Sequence, residues 1–252
     1  MIQAVNHEIA SRARRVGTSS NGQRRWYTDF FGKLVDQIED RPQSHYTEMD
    51  ANGVIVPHFH RVNQFQIMVS GHGSIGRNAL PLVGLHYADG YTAYGPINAG
   101  PFGLGLFTIR AQSDPGAIYL HQPGYKDFLK PSKKRYLIAE NIGLSTESVL
   151  QYRGEVTLEN VLEKDADQSV DLSDGLGAHM LRMGGGAKTT GPDPRITGGQ
   201  YYLVLNGSLE FDGASYAPWS MVFADHTDAP LEVHAGARGL EALVMNFPRL
   251  DV

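Results

Sequence analysis

Apolar residues in this chain fall in short runs, many alternating with polar ones, and the runs end at Gly, Pro, Asn or Asp. β-branched and aromatic residues crowd these runs, which is the pattern of strands on a half-buried sheet. The runs predict strands over 45–50, 54–60, 64–70, 74–77, 84–88 and 103–110. A second series follows over 178–183, 200–206, 208–212, 220–224, 231–234 and 240–246. One stretch differs. Phe31, Leu34, Val35 and Ile38 are spaced i, i+3, i+4 and i+7, which predicts a short helix capped by Thr28 or Asp29 and stopped by Pro42.

The two series are copies of one another. NQFQIMVSG at 63–71 aligns with GQYYLVLNG at 199–207, so Gln64 meets Gln200 and Gly71 meets Gly207 at an offset of 136. The same offset pairs Ala88-Asp89 with Ala224-Asp225, Ala99-Gly100 with Ala235-Gly236, and Gly103-Leu104 with Gly239-Leu240. Upstream, SHYTEMDANG (44–53) resembles AHMLRMGGG (178–186) at an offset of 134, a slip that a connecting turn tolerates. A repeat in constant register predicts two units of one architecture. The chain is expected to comprise an N-terminal extension (1–43), a first barrel core (44–115), a connection contributing to the second barrel (116–175) and a second barrel core (176–252).

A net charge of -5 argues against a nucleic-acid partner, which calls for a basic face. The basic runs Arg12 to Arg15 and Lys133 to Arg135 read as solvated surface. With 0 cysteines there are no disulfides, thiolate ligands or cysteine nucleophiles, which sits with a reducing compartment. No signal-peptide core and no apolar span appear, so a cytoplasmic chain without membrane contact is expected. Apolar residues on both faces of QFQIMV and QYYLVL predict strands covered on both sides, and with them a C2 homodimer.

The candidate chemistry lies in GVIVPHFHRVNQFQIMVSG. On a strand, residues two apart share a face about 6.5–7 Å from one another. His58 and His60 therefore project side by side, and two such imidazoles can converge on one cation. In the second copy their positions hold Pro194 and Ile196, leaving Gln200 alone, so any metal chemistry belongs to the first copy.

The spacing His58-x-His60, three residues, Gln64, six residues, Gly71 resembles the first motif of the cupin superfamily. Gly53 leads it by one residue less than the family pattern, and Gln64 stands where the family has glutamate. In the second motif Tyr94 falls near the family's histidine and Asp89 near its proline, and Pro230 stands at the corresponding place in copy two. The resemblance implies an all-β chain of two tandem double-sheet jelly-roll barrels, with a short N-terminal helical segment outside the repeat. It also implies one divalent transition metal (Fe, Zn, Ni, Mn or Cu) on His58, His60 and Gln64, with His86 as a substitute ligand and Tyr94 as acid or base. The activity it implies is a metal-dependent dioxygenase acting on a small oxygenated organic substrate, or a sugar isomerase or epimerase.

A non-catalytic barrel is the competing reading, in which Gln64, Gln66 and the histidines orient a small-molecule ligand. Tyr91, Tyr94, Phe102 and Phe107 are candidate cavity aromatics, and Arg110 is a candidate partner for a substrate carboxylate. GHGSIG at 71–76 has dinucleotide-loop spacing, but Pro81 follows instead of a helix, so it reads as a hairpin and no nucleotide is expected. Asn206-Gly207-Ser208 is a sequon in letters only.

Overall fold

The computed structural model of the chain describes residues 1–19, 22–140, 142–162 and 170–250. In chain order its elements are β1 (Gln3–Val5), α1 (His7–Ser11), β2 (Arg15–Thr18), β3 (Arg24–Phe31), β4 (Gln43–Met49), β5 (Val54–Ile55), β6 (His58–Phe59), β7 (Gln64–Ile75), β8 (Asn78–Leu80), β9 (Gly84–Ala88), β10 (Ile97–Arg110), β11 (Ile118–Tyr119), β12 (Tyr136–Ala139), α2 (Glu147–Gln151), β13 (Thr157–Asn160), β14 (Gly177–Met183), β15 (Lys188–Thr190), β16 (Gln200–Phe211), β17 (Ala214–Tyr216), β18 (Met221–Ala224) and β19 (Glu232–Asn246). No helix among the described residues is long and apolar enough to cross a membrane.

The chain divides into two compact units, Ala13–Ile142 and a unit joining Met1–Arg12 to Gly143–Val252. The first barrel's main sheet runs β12-β9-β7-β10-β4-β3-β2, with β5 on β10 and β8 on β7, while β6 and β11 form a separate pair. The second runs β1-β18-β16-β19-β14-β13, with β15 on β19 and β17 on β16. The orders match, as the repeat predicts, except that β2 has no counterpart in the second, and all these pairings are antiparallel. The outermost strand of each comes from outside its own copy. β12, from the connection, pairs with β9, and β1, from the N-terminal extension, pairs with β18. The connection therefore serves both barrels, with β11 and β12 in the first and β13 in the second. Its residues 141 and 163–169 lie outside the described residues.

The recurrent glycines mark where the long strands bend. β7 and β10 change register between Ala99 and Leu104, and β16 and β19 do so at the matching place. Gly71 and Gly207 have φ of 71° and 68°, and a Cβ on either would collide with the carbonyl oxygen of Gly103 or Gly239 respectively. Only glycine meets both demands, and a bulge of this kind lets one strand turn a barrel corner. β7 and β16 therefore run unbroken through 74–75 and 208–211, where separate strands were expected. The GHGSIG segment ends in the turn joining β7 to β8, as its hairpin reading required.

The helix expected over 31–38 does not form. Phe31 ends β3, Leu34 is 72% exposed and Ile38 39% exposed, so the stripe has nothing to bury against. The N-terminal helix is instead α1, with Asn6 accepting from the Glu8 N–H as its cap.

Candidate functional site

Directly paired residues on antiparallel strands share a face, so the register gives the composition of each interior. Across the first sheet, His86, Gln66, Thr108, His45 and Asp29 form one cross-strand row. Two residues along, Met68, Leu106, Thr47 and Tyr27 form the next, and in the other direction Arg110 faces Gln43. The matching rows of the second barrel read Val222, Tyr202, Val244, His179 and Asn160, then Val204, Ala242, Leu181 and Leu158. There Leu181, Tyr202, Val204, Val222, Ala242 and Val244 close into one buried apolar cluster. In the first barrel the same face borders a cavity of about 410 Å³, to which Thr47, Gln66, Thr108, His45, His58, His60 and Arg110 all contribute.

His58 and His60 enter this cavity from β6 and the residue after it. His58 is fixed by reciprocal backbone bonds with Tyr94 (3.1 and 3.0 Å), and its ring lies 5.3 Å from that of His60 and 4.5 Å from Tyr94. Each imidazole spends Nδ1 on a neighbour, His58 on the Val56 carbonyl at 2.8 Å and His60 on Asp114 Oδ1 at 2.7 Å. Asp114 has no exposure and also accepts from the backbone N–H groups of Arg61 and Gly116 (2.9 and 2.7 Å).

Arg110, 3% exposed, is the hub of the remaining polar groups. Its guanidinium donates to Gln43 Oε1 at 2.6 Å and, through Nε and Nη2, to Gln64 Oε1 at 3.1 and 3.0 Å. Nη2 also lies 3.2 and 3.3 Å from the two ring nitrogens of His60, so the guanidinium rests against the imidazole ring. The amide of Gln64 donates to the Tyr94 hydroxyl.

Burial shapes the protonation of the whole site. It is the main cause that brings His45, His58 and His86 down to about 3, assisted at His45 by the positive charge of Arg110 and at His58 by those of His60 and Arg110. His60 is lowered by burial and by Arg110 against the pull of Asp114. Tyr94 is raised, again chiefly by burial. Burial would raise Asp114 too, but the His60 hydrogen bond and the charges around it more than compensate, and the carboxyl sits below its usual range. At neutral pH the site therefore holds neutral imidazoles, a neutral phenol and an ionised Asp114.

Of the residues singled out in the sequence, His58, His60, Gln66 and Arg110 meet at the cavity wall. Gln64 and Tyr94 sit behind them, joined to each other. His86 bonds Gln66 at 3.0 Å and does not line the cavity. Phe107 does not contribute either. It falls between Leu106 and Thr108 on β10, so strand alternation turns it to the other face, against Phe30 and Tyr46. Gln43, His45 and Asp114 were not anticipated. Gln43 and His45 alternate with Ser44 and Tyr46 at the start of the repeat, a signal that was legible, whereas Asp114 lies in a loop with no motif around it.

A metal held by His58, His60 and Gln64 does not fit these contacts. The Gln64 oxygen that would ligate accepts from Arg110, the same cation lies against the His60 ring, and a guanidinium repels a second cation. Among the described residues no group of three or more His, Cys, Asp or Glu side chains could hold a metal ion.

No protein-family model and no curated protein matches the sequence. Solved structures match in fold. A protein of Nostoc punctiforme, provisionally described as a dioxygenase, has a TM-score of 0.64 at 8% identity, over 100% of this chain and 84% of that one. The bacterial pirin YhhW of Escherichia coli, in complex with nickel(II), has a TM-score of 0.57 at 12% identity, over 99% and 100%. A cupin 2 conserved barrel domain protein of Leptotrichia buccalis has a TM-score of 0.50 at 12% identity, over 97% and 96%. At such identities the likeness is one of fold.

Proposed function

We propose that in this chain, a duplicated cupin fold, the first barrel binds a small polar organic molecule while the second serves as its structural counterpart. The observation that carries this reading is the contrast between matching interior rows. Thr47, Gln66, His86 and Thr108 in the first barrel correspond to Leu181, Tyr202, Val222 and Val244 in the second. Polar side chains on an inward face cost stability unless something uses them, and here Thr47, Gln66 and Thr108 border a cavity of a size suited to small ligands, with His86 bonded to Gln66 behind it. The protonation pattern supports binding over acid–base work, since a general acid or base is most effective near the operating pH and burial moves these groups away from it. His58 and Gln66 would orient the ligand by hydrogen bonding, with Arg110 positioning His60 and Gln64 beside it.

A second reading, a metal-dependent dioxygenase or isomerase, draws on the His58-x-His60 spacing and on the fold it shares with a nickel-bound pirin. Metal analysis separates the two. Protein purified without chelator or nickel affinity is measured for metal beside the double variant His58→Ala/His60→Ala. The binding reading expects no stoichiometric metal in either. Near-stoichiometric metal in the wild type, lost in the variant, would replace it with the metalloenzyme.

A further inference from the structure

Among the described residues, Arg25 of the first barrel forms no ion pair with an acidic side chain. Arg25 on β3 pairs in register with Met49, which in turn faces Leu104, so it belongs to the same inward face as Tyr27 and Asp29. It is 4% exposed and lines the cavity. Among the described residues its guanidinium makes one hydrogen bond, from Nη2 to the Val54 carbonyl at 2.9 Å, and its Nε has no partner. Its chain neighbour Arg24 reaches Asp50, and Arg14 and Arg15, just before and at the start of β2, pair with Glu48 and Asp29. Buried charges are ordinarily paired, because desolvating an ion without a counter-charge is costly.

The lining as a whole has the same sign. Arg15, Arg25, Lys33 and Arg110 border the cavity against a single carboxylate, Asp29, which Arg15 already holds through two nitrogens. Ile55, Leu106, Tyr27 and Tyr119 supply apolar wall between these charges. An inorganic anion would leave that wall unused.

We propose that the ligand of the first barrel is a small organic carboxylate with an apolar body, and that Arg25 is the side chain that receives its charge. This rests on the reading of the first barrel as a small-molecule site. A guanidinium suits the task because its planar fork matches a carboxylate in two parallel hydrogen bonds.

The test is thermal unfolding of the wild type, Arg25→Met and Arg25→Lys at constant ionic strength. The probes are benzoate, phenylacetate and succinate, with benzamide and phenylacetamide as uncharged counterparts. At least one carboxylate should raise the wild-type Tm in a saturable way while its amide does not. Arg25→Met should lose that response, yet be no less stable than the wild type without probe, since it removes an unpaired buried charge. Arg25→Lys keeps the charge without the fork and should need about ten times more probe, which keeps the test open should Arg25→Met fail to fold. Equal responses from wild type and both variants would overturn the proposal. Saturable binding of an amide without its acid would overturn the carboxylate and leave the small-molecule site standing. Silence from every probe would remove both.

Discussion

At the scale of single residues, Asp114 organises the site without touching its cavity. Its oxygens accept from His60 and from two backbone N–H groups, so replacing it strands one buried and two partly buried donors. Asp114→Asn keeps the shape but removes the charge, and should lower stability by about 3 kcal/mol in urea titrations at neutral pH. The pH dependence has a definite sign. Because the folded carboxyl is held below its ordinary range, its contribution is fully present above the unfolded pKa of about 4 and is lost as pH falls through the folded value. The loss of stability below pH 4 should thus be shallower in Asp114→Asn than in the wild type. Parallel curves would show that Asp114 is not the ionised partner of His60. Nothing in the sequence around Asp114 announced this role, because the loop after β10 is placed by the fold. His58 and His60 were legible because a strand fixes the relation of residues two apart, whereas the engagement of Gln64 by Arg110 joins residues far apart in sequence.

At the scale of elements, most strands of both barrels were readable even where the inner face is polar, as in β4, β7, β9 and β10, but β3 was not. β3 turns Arg25, Tyr27 and Asp29 inward, so its alternation carries no hydrophobic signal, and the accidental spacing of Phe31, Leu34, Val35 and Ile38 reads instead as a helix. β14 and β16 carry their pattern in Leu181, Met183, Tyr202 and Val204, and their positions were clear. The glycines that recur at the offset of the repeat are explained at this scale, because each pair sits where two long strands cross a bulge. Gly207→Ala should cost more than 3 kcal/mol, since its Cβ meets the Gly239 carbonyl in addition to the strain of positive φ. Gly213 has a φ of 73° but open space around its Cβ, so Gly213→Ala should cost only about 1 kcal/mol. Denaturation midpoints of the two variants check this, and equal losses would mean that backbone strain alone explains the recurrence.

At the scale of the whole molecule, one architecture is used twice with different interiors, and that difference should appear in acid. The duplication was legible because a constant offset survives even where the interior residues have changed. The different use of the two copies showed only in the loss of the histidine pair at Pro194 and Ile196. His58 and His86, 3% and 0% exposed, are brought down to about 3, mainly by burial, whereas an unfolded chain protonates them near 6.5. Between those values the unfolded chain binds protons that the folded barrel cannot. Stability therefore falls as pH is lowered, by about 1.4 kcal/mol per pH unit for each imidazole. The second barrel has Pro194 and Val222 at the matching positions and carries no such cost there. His86→Val installs the residue of the second barrel and also removes an unpartnered ring nitrogen, so it should reduce the fall between pH 6 and 4 by about 1.4 kcal/mol per unit. The two tryptophans, Trp26 on β3 and Trp219 before β18, report the barrels separately when either is replaced by phenylalanine. Urea unfolding at pH 7, 6, 5 and 4 should show the Trp26 signal weakening first on acidification, with the His86→Val slope shallower than that of the wild type. An unchanged slope would mean that His86 takes up its proton in the folded barrel, and the first interior would then be wetter than its burial implies.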